Sequence, residues 1–314
     1  MRPFLTKSLT FALLVVAATS TLILLVNFAM RRGHYFDMGR KAELLMVGDS
    51  HPECAFNDSI ISHSANFSSS GESYFYGFLK VKMLLKKNPQ VKTIFIEFNN
   101  GQIEKAMDEN IWGDKHIDWR YPKYSAYMGI EEIGILMSHN WKTTVHAQFI
   151  SLRDNVRFLV RRSKSLVYYG GWGAYHPLRH DGSQLLAQYR NNRVDVLDSL
   201  VETSPTNLLY LSKMIEFCRN RDVVVFLIRS PVHPKYRGLA NEKTFQQVLQ
   251  GQFAGVEFLD FVTFSADDTE FADLHHLNYK GAQRYSTLLE SLLKNGLLNT
   301  DKKQDIIDRE ISKT

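Results

Sequence analysis

From Ser8 to Met30 the chain reads SLTFALLVVAATSTLILLVNFAM, 23 positions without a charge. A helix needs about 20 predominantly apolar residues to cross the hydrocarbon core of a bilayer. Lys7 stands before the run, and Arg31 and Arg32 stand behind it. A cleaved signal peptide has an apolar core of roughly 7–15 residues. Here Leu22 to Val26 carry the apolar run beyond the small pair Ala17 and Ala18. Residues 1–32 are therefore expected to form an uncleaved signal anchor, a single transmembrane helix. Charge does not settle its orientation. Arg2, Lys7 and the amino terminus precede the run, while Arg31, Arg32, Arg40 and Lys41 follow it. A positive-inside count is balanced, or slightly against export of the C-terminal part.

The remainder has the composition of a globular protein. With 44% hydrophobic and 23% charged residues among 314, a disordered chain, a collagen and a pure coiled coil are excluded. Lys+Arg 38 minus Asp+Glu 33 gives +5, too mild an excess to argue for nucleic acid. Two cysteines, Cys54 and Cys218, cannot make a disulfide framework.

After a basic tether, short apolar runs alternate with helical patterns. Glu43–Val47, Ser64–Phe67, Val91–Phe98, Val223–Ile228 and Val256–Phe261 read as strands. Tyr74–Lys87, Asn207–Asn220 and Asn278–Leu293 read as helices, the second with Thr206 as its cap. This alternation predicts a parallel sheet with helices on both faces. The globular domain is expected over 33–300, followed by a charged, frayed tail at 301–314. An insertion of about 100 residues, Gln102 to Ser204, separates the third and fourth strands. It is rich in aromatic and basic residues, among them Arg153, Arg157, Arg161, Arg162, Trp172, Tyr175 and His176. Its basic, aromatic stretch from Arg153 to His180 reads either as a binding surface for a sugar polymer or anionic lipid heads, or as a packed helix with a solvated face.

Two segments carry chemistry. Gly48-Asp49-Ser50-His51 directly follows the first strand, at the carboxyl edge where open α/β sheets hold their sites. A nucleophilic hydroxyl needs that exposure, a nearby base and donors for the developing oxyanion. Near the other end, Asp273-Leu274-His275-His276 precedes a helix. An Asp three residues before a His lets one carboxylate orient the imidazole that takes the serine proton. His276 is the candidate base and His275 its competitor. Asp49 is expected to hold the loop, and Cys54 to be a buried small residue. Asp49-Ser50-His51 also fits the Asp-x-His pair that opens metallophosphoesterases, but the further segments of that family do not occur in the chain. No metal-ligand cluster is visible, and no cofactor is expected. His233 and Arg229 follow the fourth strand and are weak candidates for substrate contact, as is His51.

Gly-Asp-Ser after the first strand and Asp-x-x-His before the last helix together resemble the SGNH/GDSL hydrolase superfamily. Two middle blocks match in part. Asn66 and Gly71 have the spacing of the second block. Glu97-Phe98-Asn99-Asn100 stands where that family has Gly-x-Asn-Asp, so Asn99 and Asn100 both compete for the oxyanion position. The resemblance covers residues 43–101 and 206–294. It implies a flavodoxin-like three-layer α/β/α fold with a parallel sheet, the SGNH hydrolase fold. It implies a triad of Ser50, His276 and Asp273, with the oxyanion held by the Ser50 N–H, the Gly71 N–H and the Asn99 amide.

Membrane-tethered members of that superfamily work beside multi-pass O-acyltransferases on acyl groups of envelope polymers. The resemblance thus implies a membrane-anchored esterase or O-acyltransferase acting on a cell-envelope carbohydrate, with its catalytic domain on the extracytoplasmic (periplasmic) side. The alternative is a catalytically degenerate SGNH-like scaffold or binding subunit of a polysaccharide-modification complex. Glu97, in the place of the usual glycine, keeps that alternative open.

Overall fold

Leu44–Val47 (β1) is buried at all four positions, and Thr93–Glu97 (β3) at four of five. Strands buried on both faces are the mark of a parallel sheet covered by helices. Ser64–Asn66 (β2), Val224–Arg229 (β4) and Glu257–Asp260 (β5) complete five parallel strands in the order β2-β1-β3-β4-β5. The computed structural model describes residues 2–33, 35–38, 42–161, 166–172, 182 and 201–313. Of the residues named above, Arg40, Lys41, Arg162, Tyr175, His176 and His180 lie outside that set.

The chain divides into two units, Met1–Tyr35 with Trp112–Ser165, and Phe36–Ile111 with Leu166–Thr314. The second unit holds the sheet. Alternate strand residues Leu44, Met46, Phe95, Phe226, Ile228 and Leu259 share one face with Ala55, Phe56, Tyr285, Leu289, Leu292, Ile307 and Ile311. The intervening residues Leu45, Val47, Ile94, Ile96, Val225 and Leu227 are also buried. Helices Tyr74–Lys87 and Pro205–Arg219 pack on one another, with the Phe75 and Tyr210 rings 4.7 Å apart. The strand order reverses between β1 and β3. At such a switch point the loops after the two strands diverge and leave a crevice. Ser50 follows β1 and Asn99 follows β3, so both lie at its rim.

Several boundaries differ from those read in the sequence. The helix before β4 begins at Pro205, and its cap is Ser204, whose hydroxyl accepts from Asn207 N. Thr206 is not the cap, because proline at the first helical position moves the start back. The short helices Asn100–Ile103 and Met107–Trp112 open the expected insertion at 102–204, and all but Trp112 group with the sheet; the part from Trp112 to Ser165 groups with the N-terminal helix. The tail expected to fray instead carries a helix, Lys303–Ile311, whose Ile307 and Ile311, four apart on one face, enter the core beside β5.

In the first unit, the helix Arg2–Arg32 contains the span Pro3–Arg32, which is long and apolar enough to cross a membrane. Only the C-terminal part of that helix is covered by protein. Val26 and Met30 are buried, and Arg31 Nε donates to Ala126 O at 2.5 Å. Asp114–Tyr124 packs against Ile130–Arg161, which is broken at Asn140 (φ −152°, ψ 69°).

Ile307→Ala is expected to lower stability by about 2–5 kcal/mol, the usual cost of emptying a buried aliphatic site. Denaturant unfolding of the detergent-solubilised chain measures it. A change within about 0.5 kcal/mol would contradict the packing of the C-terminal helix.

Candidate active site

Ser50 is the first residue of the short helix Ser50–Ala55, and Asp49 is its N-cap, accepting from His51 N at 2.9 Å. The turn is tight. A Cβ on Gly48 would lie 2.4 Å from Glu97 Cβ and 2.8 Å from Pro52 Cγ, so only glycine fits between β3 and this helix. Asn66 ties the loop after β2 to the same helix, its Nδ2 donating to Pro52 O and Phe56 O at 2.8 Å each. Gly71, in that loop, has φ +63°, a conformation that favours glycine.

The partner of Ser50 comes from 226 residues away. His276 Nε2 is 2.8 Å from Ser50 Oγ. His276 Nδ1 is 2.9 Å from both carboxylate oxygens of Asp273. Asp273 Oδ1 also accepts from the backbone N–H groups of His275 and His276, at 2.7 and 3.0 Å. Burial alone would raise the Asp273 carboxyl, but His276 outweighs it and holds the group below the ordinary carboxylate range. The loop itself is braced. Ala272 N donates to His276 O, and Asn278 caps the helix Tyr279–Lys294 that follows. Ser286 on that helix hydrogen-bonds Ala55 O and Asn57 N, both at 2.9 Å, which fastens it to the helix bearing Ser50.

His275 does not compete for the serine. Its ring pairs with Tyr236, centroids 4.3 Å apart. Burial, with His51 and His276 beside it, lowers its imidazole to about 4.

Beneath the serine lies a buried polar network. Asp49 Oδ1 meets His51 Nδ1 at 3.0 Å. Asp49 Oδ2 accepts from Asn99 Nδ2 at 3.0 Å and Gln102 Nε2 at 2.9 Å. Burial would raise the Asp49 carboxyl, yet His51, Asn99 and Gln102 hold it far below its usual value. His51 responds inversely. Burial would lower its imidazole, but Asp49, with Glu97 and Asp273, raises it to about 9. Glu97, fully buried, accepts from Ser230 N at 3.1 Å and Ser230 Oγ at 2.6 Å, and its Oε1 lies 3.3 Å from Asn99 Nδ2. Burial and the nearby Asp49 push its carboxyl up to about 7. Glu97 is thus turned towards β4.

Each expected site residue now has a place. Ser50, His276 and Asp273 come together. Asn99 lies beside Asp49 at the switch point, with its amide engaged by Asp49. Asn100 points elsewhere, bonded to Asn241, Glu242 and Arg229. Two substrate-contact expectations are corrected. Arg229 is buried in an ion cluster, paired with Asp260 and Glu242, and stacked over Phe245. A buried guanidinium needs such partners, and here they leave none of it facing the crevice. His233 is buried too, with Nε2 3.0 Å from Asp268 and its N–H on Leu274 O. It braces the loop that carries Asp273. Cys54 is buried against Ala282, and burial drives its thiol above the usual range, which leaves it unreactive.

Gln102 was not singled out in the sequence. The signal was the pair Asn99…Gln102 at N-cap spacing, where Gln102 N donates to Asn99 Oδ1. Among the described residues no cluster of His, Cys, Asp and Glu suited to a metal ion occurs.

An uncharacterised protein-family model matches residues 179–298, a segment that includes Asp273 and His276 but not Ser50. Among curated protein sequences none matches the chain.

His51 is expected to stay protonated through neutral pH, and Asp49→Asn to lower its titration midpoint, as read by NMR of the ring nitrogens. Taken alone, His51 stabilises the fold fully below its ordinary value of 6.5, and that contribution is lost as pH rises through about 9. A midpoint unmoved by Asp49→Asn would contradict the pairing.

Proposed function

We propose that the chain is a serine acyl-ester catalyst of the SGNH type, an esterase or O-acyltransferase, anchored by its N-terminal helix. The observation that carries the reading is the unbroken relay from Ser50 Oγ through His276 to Asp273, with contacts of 2.8 and 2.9 Å. The strand order β2-β1-β3-β4-β5 and the position of Ser50 after β1 support the SGNH fold.

In this reading His276 Nε2 removes the Ser50 proton as Oγ attacks an acyl carbonyl. Asp273 keeps Nδ1 protonated and stabilises the imidazolium that forms. His276 then returns the proton to the leaving alkoxide, giving an acyl-serine. Water or a sugar hydroxyl, deprotonated by the same histidine, releases the acyl group. The Ser50 N–H and the Gly71 N–H are the oxyanion donors. The Asn99 amide joins them through the hydrogen that Asp49 does not hold. Each such donor lowers the barrier by about 2.7–4 kcal/mol in comparable sites.

The substrate is an O-acyl group on an envelope carbohydrate, with the catalytic unit on the extracytoplasmic side and a multi-pass O-acyltransferase as partner. The support for this is the combination of anchor and Gly-Asp-Ser domain, which resembles tethered members of the superfamily. The rival reading, a non-catalytic scaffold, draws on Glu97, whose carboxylate competes for the Asn99 amide at 3.3 Å.

A serine-directed fluorophosphonate is expected to label the full chain at Ser50 and to leave Ser50→Ala unlabelled. Asp273→Asn is expected to slow hydrolysis of p-nitrophenyl acetate by on the order of 10⁴, as loss of the orienting carboxylate does in other triads. A folded wild-type chain that neither labels nor hydrolyses the ester would reject the enzyme in favour of the scaffold.

A further inference from the structure

The helix Ile130–Arg161 is turned inside out beyond its break at Asn140. Its buried positions are Thr144, Ala147, Ser151 and Asn155, small or polar residues at helical spacing. Its exposed positions include Trp141 (58% exposed), Val145, Phe149 (58%), Val156 and Val160 (78%). These recur at steps of four and seven and so form one continuous apolar row. A water-facing helix has the opposite arrangement, with its apolar row against the core. The buried polar side is engaged within the unit, where Thr144 Oγ1 donates to Asn140 O at 2.6 Å. Ser151 Oγ meets Ser125 Oγ and accepts from Asn155 Nδ2 at 3.2 Å.

Beside the apolar row runs a cationic one. Lys142, Arg153, Arg157 and Arg161 follow their apolar neighbours by one position or lie four apart, and all are exposed. Asp154, paired with Arg153 Nε at 2.8 Å, is the acid of this stretch. A helix with Trp, Phe and Val on one side and Lys and Arg beside them suits the boundary between acyl chains and headgroups.

The same unit holds the apolar helix that is long enough to cross a bilayer. Arg31, at the end of that helix, donates to Ala126 O and Met128 O. The neighbouring Ser125 touches Ser151, on the buried side of the helix at about the middle of this half. The helix that bears the row is thus joined, through one short turn, to the point where the spanning segment ends.

We propose that the Trp141–Arg161 half of this helix lies on the lipid at the membrane face where the N-terminal helix emerges, with its apolar row among the acyl chains and its arginines on anionic headgroups. The proposal rests on the anchor reading and is independent of the chemistry at Ser50. Burial of the row in lipid removes the exposed apolar strip that otherwise meets water. The headgroup contacts add an attraction that salt screens.

The test uses the full chain in vesicles of phosphatidylcholine, alone or with added phosphatidylglycerol. An environment-sensitive fluorophore is attached in turn to Phe149→Cys, Val156→Cys and Leu24→Cys. The native Cys54 and Cys218 are buried, and the unsubstituted chain gives the labelling background. Probes at 149 and 156 are expected to emit to the blue, to lose most of their emission in brominated lipid and to resist aqueous iodide. Adding phosphatidylglycerol is expected to deepen the lipid quenching, and the triple variant Arg153→Gln, Arg157→Gln, Arg161→Gln to lose that gain. Quenching at Leu24 with iodide-accessible probes at 149 and 156 overturns the proposal and points instead to a protein partner absent from the vesicles. No lipid quenching at Leu24 overturns the anchor reading itself, and the proposal with it. Indifference to phosphatidylglycerol overturns the headgroup contact.

Discussion

The Asp49 carboxylate, buried at the end of β1, accepts from the backbone and ring of His51, from Asn99 and from Gln102. Those partners come from the Ser50 helix and from the segment that follows β3. A buried carboxylate is costly unless its lone pairs are filled, so this group forces both segments into one arrangement. The helix start is thereby set, and with it the direction of the Ser50 hydroxyl. His51 balances the charge of Asp49. The rim of the crevice is rigid because its polar groups answer one another.

A second set of ties works on the far strand of the site. Asp273 and His276 sit in a loop with little regular structure, yet His233, Asp268, Asn278 and the capped turn at Asp267–Glu270 hold it in place. Ser286 then couples the following helix to the one bearing Ser50. Arg229, with Asp260, Glu242 and Asn100, locks the ends of β4 and β5. At the carboxyl edge of this sheet Asp49, Glu97 and Arg229 are each engaged by neighbouring protein groups.

The two units use opposite surface logic. The sheet unit turns its apolar residues inward, into a core on the sheet. The Trp141–Arg161 helix buries serine, threonine and asparagine and leaves tryptophan, phenylalanine and valine outside. Such a surface is stable beside lipid, where the alternative neighbour is hydrocarbon and not water.

Much of this was readable in the residues. The uncharged run Ser8–Met30, the five apolar runs and the local pair Asp273…His276 depend on composition and short spacing, which a chain carries whatever its tertiary form. The fates of Arg229, His233 and Asn100 were not readable, because a polar residue after a strand looks the same whether it faces a ligand or a buried counter-charge. The C-terminal helix is not legible in the residues, because its many charges mask the pair Ile307 and Ile311. Local residue order carries the five strands, the apolar helix and which side chains have the chemistry to act. Tertiary structure alone decided that Ser50 meets His276 across 226 residues and that one helix wears its apolar side outward. Those outcomes turn on crossover direction and strand register, which no local window contains.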